Sequence, residues 1–171
     1  MKNKTHIISR FVLLLIVFFF QSSPIISRFE VGGVTPNILF VILFVYALFL
    51  KDTEVVAYTV IFGTLADLLF GKIYGITTLL LLLFVCTYIF LNKYIYTESI
   101  WVVFLYCLFA SWLYETLMLF INSAIWQETV LSLEVMRLVT IKCVYGSLIC
   151  LPVFCIARKM HRLKQEVRID G

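Results

Sequence analysis

LEVMRLVTIKCVYGSLICLPVFCI, residues 133–156, is the stretch on which the fold turns. Glu134, Arg137 and Lys142 lie in its first half, and no further charge appears before Arg158. At about 1.5 Å per helical residue such a run crosses the ~30 Å hydrocarbon core of a bilayer. Arg158, Lys159, Arg162, Lys164 and Arg168 follow at once, and a basic flank of this kind marks the cytoplasmic side of a membrane. Pro152 is expected to kink the helix near its inner end.

Five more apolar runs precede it, at about 7–23, 37–50, 55–70, 76–91 and 99–121. Of the 171 residues 63% are apolar and 14% charged, against about a quarter charged in soluble domains. The mean hydropathy is +1.04. Pro24 ends the first run, and Gln21-Ser22-Ser23-Pro24 is a poor cleavage site, so that run reads as a retained helix and not a signal peptide. Thr35-Pro36 reads as an N-cap followed by proline at the first helical position of the second run. Lys51-Asp52-Thr53-Glu54 is a tight inner turn, and Gly71-Lys72-Ile73-Tyr74-Gly75 a short outer one. The polar stretch 122–132 reads as an outer loop, with Trp126 at the membrane–water interface.

Threaded this way, ten basic residues fall inside: Lys2, Lys4, Arg10, Lys51, Lys93 and the five that follow the last run. Outside, the loops hold only Arg28 and Lys72. Both termini are therefore expected in the cytoplasm, and the number of spans is even. The net charge of +4 belongs to this asymmetry and not to a nucleic-acid surface. The expected fold is all-α and polytopic, with six transmembrane helices in one domain, 1–157, and a basic cytoplasmic tail, 158–171. Met160, Leu163 and Val167 give that tail a roughly helical spacing, as in a helix lying on anionic lipid or against a cytoplasmic partner.

Asp67, Glu115, Arg137 and Lys142 are charges inside spans, where lipid tolerates none of them unpaired. Counted from span centres near Gly63, Ala110 and Gly146, Asp67, Glu115 and Lys142 lie about 6–7 Å outside the midplane. Asp67 or Glu115 is expected to pair with Lys142 or Arg137, tying the third, fifth and sixth spans. Gly63, Ala110-Ser111 and Gly146-Ser147 mark close helix packing.

Catalytic signatures are missing: there is no HExxH, GxSxG or glycine-rich phosphate loop. His6 and His161 sit in the two tails, far from Asp67 and Glu115. Cys86, Cys107, Cys143, Cys150 and Cys155 all fall in apolar runs with no CxxC spacing, as small packing residues do. No enzyme activity, metal or cofactor is expected.

Pro36-Asn37 and the segment GTLADLLFGKIYG, from Gly63 through Asp67 and Gly71 to Gly75, resemble the bacterial rod shape-determining protein family MreD. That family has a proline opening the second span and a Gly-Leu-x-x-Asp-x-x-x-Gly-like segment ending the third. Thr64 stands here in place of the leucine. The resemblance covers nearly the whole chain. It implies a non-enzymatic component of the cell-elongation machinery, associated with MreC and, through it, with the MreB cytoskeleton and the RodA–penicillin-binding-protein synthase of peptidoglycan. It also implies a fold similar to the substrate-binding subunits of energy-coupling-factor transporters. A vitamin-binding subunit of such a transporter is therefore the alternative reading. Those subunits carry an Ala-x-x-x-Ala-like motif on the first helix, where this chain has FVLLLIVFFF, residues 11–20.

Overall fold

A computed structural model of the chain describes residues 2–24, 28, 30, 32–70, 74–92, 99–126 and 132–169. Among them are six helices and no strand: α1 (Lys2–Ser22), α2 (Ile38–Phe49), α3 (Asp52–Phe70), α4 (Ile76–Asn92), α5 (Ile100–Trp126) and α6 (Leu133–Ile169). Two segments, Ile100–Ile125 in α5 and Leu133–Lys159 in α6, are long and apolar enough to cross a membrane. Their windows are mostly unburied, 28% and 33% buried, unlike the core helix of a soluble protein.

The organising element is α2. It touches every other helix, while α3 packs along α4 and α5 along α6. Every residue from 39 to 45 is buried, so no face of α2 is left over for lipid. A helix apolar all round belongs in an interior, and here α2 is the core. Its Phe44 stacks near Tyr88 of α4 at 4.1 Å and Tyr106 of α5 at 5.7 Å. Phe40 meets Tyr114 of α5 at 5.2 Å, and Phe49 meets Phe154 of α6 at 5.6 Å. On the other side Phe11 and Phe18 of α1 pack on Phe62 of α3 at 5.4 and 6.0 Å.

Several expected boundaries move, each for a local reason. Asn37, not Thr35, caps α2: its side-chain oxygen accepts from the Phe40 N–H at 3.1 Å, and the helix begins after it. With 12 residues α2 is about 18 Å long, well short of a bilayer. The fifth helix continues past residue 121 to Trp126, so Asn122 opens no loop. Residues 127–131 of the expected outer loop lie outside the described residues. The sixth helix runs on through Pro152 and past residue 156 to Ile169, so the basic tail prolongs α6 and forms no separate surface helix.

The small residues are buried as expected, but they do not meet at one junction. Gly63 faces α4, where a Cβ would lie 2.9 Å from the Thr78 Cα. Gly146 faces α2, with the Val41 methyl 3.9 Å from such a Cβ.

Candidate functional site

The residues singled out in the sequence form three separate polar ties between helices. The tightest joins α3 to α4. Asp67 is 2% exposed, and its carboxylate accepts the Thr77 N–H at 3.0 Å, the Thr78 N–H at 2.9 Å and the Thr78 hydroxyl at 2.5 Å. The first turn of a helix carries unsatisfied N–H groups and the positive end of its dipole. Asp67 therefore caps α4 from a neighbouring helix. Gly63 stands one turn earlier on α3, and its missing side chain admits the backbone of that same Thr78. Gly75 immediately precedes α4 at φ +90°, a conformation that side chains resist, and turns the chain into the helix. Gly71, the remaining member of the segment, lies outside the described residues.

The second tie joins α1 to α2. Gln21, near the end of α1, donates to the Asn37 side chain at 3.3 Å and accepts the Leu39 N–H at 2.8 Å. Asn37 in turn caps Phe40. Pro36 is buried just ahead of it, and its carbonyl accepts the Ile38 N–H at 3.1 Å. The first N–H groups of α2 are thus bound by side chains and turn carbonyls.

The third tie joins α5 to α6: Lys142 Nζ lies 2.8 Å from Glu115 Oε1. The expected network through Asp67 does not form. Asp67 already has three donors at the start of α4, so α3 is joined to α4 and not to α5 or α6. Arg137 is exposed on the second turn of α6 and has no ion pair among the described residues.

Sequence reasoning missed the partners more than the principals. Thr77 and Thr78 carried a signal, since hydroxyl residues just after Gly75 suit the start of a helix. Gln21 was read only as a poor cleavage site. Arg10 was counted as a topology signal, yet its guanidinium bonds Glu54 at 3.0 Å and fastens the N-terminal half of α1 to the first turn of α3. Nothing in a single sequence pairs positions 44 residues apart.

Chemically these ties hold helices; they do not assemble a nucleophile with a base. Among the described residues no three His, Cys, Asp or Glu side chains converge as a metal site requires. Cys107, Cys143 and Cys150 are buried and Cys86 and Cys155 exposed, all five as free thiols.

The Glu115–Lys142 pair gives a direct test. Its side chains are 14% and 29% exposed. Lys142→Ala strands the glutamate, at a cost below the about 3–5 kcal/mol of breaking a fully buried pair. Adding Glu115→Gln removes the stranded charge and is expected to restore part of the loss. Melting of the purified single and double variants in detergent checks this, and a double variant no more stable than Lys142→Ala would refute the coupling.

Comparison with known proteins adds one finding. No curated protein and no solved structure matches the chain. The model of the family described as rod shape-determining protein MreD matches residues 1–160.

Proposed function

The chain belongs to the family of rod shape-determining protein MreD, and from that premise we propose that it is a non-enzymatic scaffold of the rod-shape complex in the bacterial cytoplasmic membrane. The match over residues 1–160 carries this reading, because it takes in all the helices that pack together and not one motif. In this role the chain gathers an MreC-like membrane protein and, through it, the MreB cytoskeleton and the RodA–penicillin-binding-protein synthase. Peptidoglycan chemistry is left to that synthase. The ties at Asp67, Asn37 and Glu115–Lys142 support such a role, since each fixes the order of helices that present a constant surface to partners.

All six helices cross or enter the membrane, with both termini and the basic end of α6 in the cytoplasm. Ten basic residues against two in the outer loops support that orientation. The outward faces of α1, α4 and α5 support it too, with Ile16 62%, Leu79 68% and Leu105 62% exposed, the apolar faces that lipid or membrane partners cover. The vitamin-binding alternative draws no support from the matched family.

The expected result is a shape phenotype without an enzymatic one. In a rod-shaped bacterium depleted of its own MreD, this chain should restore rods when expressed with its cognate MreC-like protein, and it should co-purify with that protein. Cells that stay round despite normal membrane levels of both proteins, with no co-purification, would overturn the assignment.

A further inference from the structure

Among the described residues the helices that pack against α6 are α2 and α5, and both stop before it does. Phe49, at the end of α2, meets Phe154 of α6 at 5.6 Å. Cys107 of α5 and Cys150 of α6 share a thiol–thiol hydrogen bond. The two helices run antiparallel, so Ile100, where α5 begins, comes level with residue 157 of α6. From there α6 continues to Ile169, about 12 residues and 18 Å further. The part of it apolar enough for a membrane ends at Lys159. Residues 93–98 join Asn92 to Ser99 at this end of the bundle. At about 3.5 Å per residue they reach out and back no more than about 12 Å, short of the last turns of α6.

The stretch that runs on has a pattern of its own. Ile149, Val153, Ile156, Met160, Leu163 and Val167 recur at intervals of 4, 3, 4, 3 and 4 residues. That spacing sets apolar positions on one face of a helix and is the seam of a two-stranded coiled coil. Val153 packs against the core, whereas Ile156 is 61% exposed, so the stripe leaves the bundle at residue 156. Lys159 and Lys164 take the positions that flank such a seam on its two sides.

From the six-span reading, in which this end of α6 faces the cytoplasm, we propose that residues 156–169 dock an acidic amphipathic helix of another protein at the inner membrane face. A second copy of the chain does not suit the seam. Copies in one membrane share an orientation, so their α6 helices pair only in parallel. Position 159 of one strand then faces position 164 of the other, lysine against lysine, while Glu166 faces a glycine at 171. Anionic lipid does not suit it either, because α6 continues unbroken out of the bundle and stands away from the bilayer. A helix with acidic flanks answers both lysines. Residues 156–169 make two heptads, too few to hold a free peptide firmly. The partner is therefore one that the same membrane or assembly keeps close, where effective concentrations reach the millimolar range.

Peptide binding to the full chain in nanodiscs of neutral lipid tests this. The probe is a fluorescent four-heptad peptide with isoleucine and leucine along its seam and glutamate on both flanks. Its controls are the same peptide with lysine flanks and a scrambled acidic peptide. The acidic heptad peptide should bind at least about ten-fold more tightly than either control, and Leu163→Asp should abolish the difference. Residue 163 lies beyond the bundle, so this variant should melt in detergent with the unchanged protein. Should it not accumulate, Val167→Asp reads the same face. Equal binding of the scrambled peptide overturns the seam, and equal binding of the lysine-flanked peptide overturns the acidic partner. Loss of binding in discs of anionic lipid would mean that lipid covers the stripe, and overturns the proposal too. So would chains that pair in detergent and come apart as Leu163→Asp, since the occupant is then a second copy. Inside-out membrane vesicles should bind the peptide and right-side-out ones should not. The reverse keeps the docking face and overturns the six-span orientation, so the two readings fail separately.

Discussion

Asp67→Ala is expected to detach α4 from α3 and to remove the protein from the membrane fraction. The substitution takes away one acceptor and leaves three donors, the Thr77 N–H, the Thr78 N–H and the Thr78 hydroxyl, without their partner. Hydrogen bonds to a charged group contribute about 1.5–3 kcal/mol each, and a buried donor left unpaired costs about 1–3 kcal/mol. Local relaxation of the first turn of α4 can relieve part of that demand, so the loss should be about 3 kcal/mol or somewhat above. Asp67→Asn keeps one acceptor oxygen and should retain an intermediate share. Melting in detergent and steady-state abundance both report the series, in the order Asp, Asn, Ala. Equal melting of Asp67→Ala and the unchanged protein would mean that the cap contributes nothing.

Gly63→Val is expected to do nearly as much damage by a different route. Even the first added carbon would stand 2.9 Å from the Thr78 Cα and 3.2 Å from its Cβ. The nearest atom belongs to backbone, so no rotamer change relieves the contact and the helices must separate. Overpacking typically costs about 1–3 kcal/mol, and here separation also lengthens the Asp67 hydrogen bonds, which puts valine at or above the top of that range. Alanine at 63 should be milder but still destabilising. Because both substitutions act through Thr78, their effects should not add: the variant carrying Gly63→Val and Asp67→Ala should melt close to the worse single variant. Additive losses would show that glycine and aspartate act on separate contacts.

The family segment from Gly63 to Gly75 thereby has a physical meaning that its spacing only hinted at. Four residues along a helix bring a gap and an acceptor onto one face, and both address Thr78. The sequence made the residues conspicuous, since a lone aspartate in an apolar run has to be satisfied somewhere. It did not say by what. Complementary charge suggested Lys142 or Arg137, but backbone N–H groups at a helix start are also cationic in effect, and their positions depend on the fold.

The helices were legible for a similar reason. Long apolar runs with basic flanks give α1, α3, α4, α5 and α6 to within a few residues at most ends. The exceptions are the N-terminal end of α1 and the C-terminal ends of α5 and α6, where helix continues into polar sequence. Hydropathy marks where lipid stops, not where a helix stops. The role of α2 was hidden by the same logic. Its run is as apolar as the others, and burial by protein leaves the same trace in composition as burial by lipid. Only its shortness distinguished it.

That shortness bears on how the protein is made. Residues 38–49 leave the ribosome long before 133–159, the helix against which much of α2 finally rests. For that interval α2 lacks the cover of α6, and in the proposed six-span arrangement its neighbours there are lipid tails. An all-apolar side-chain surface accepts this, but the bare N–H groups at its first turn would not. They are served by Asn37 and by Gln21, both synthesised no later than α2 itself. The nascent chain thus carries its own seal for the start of α2, and in the proposed six-span arrangement α2 can wait in the membrane until α6 arrives.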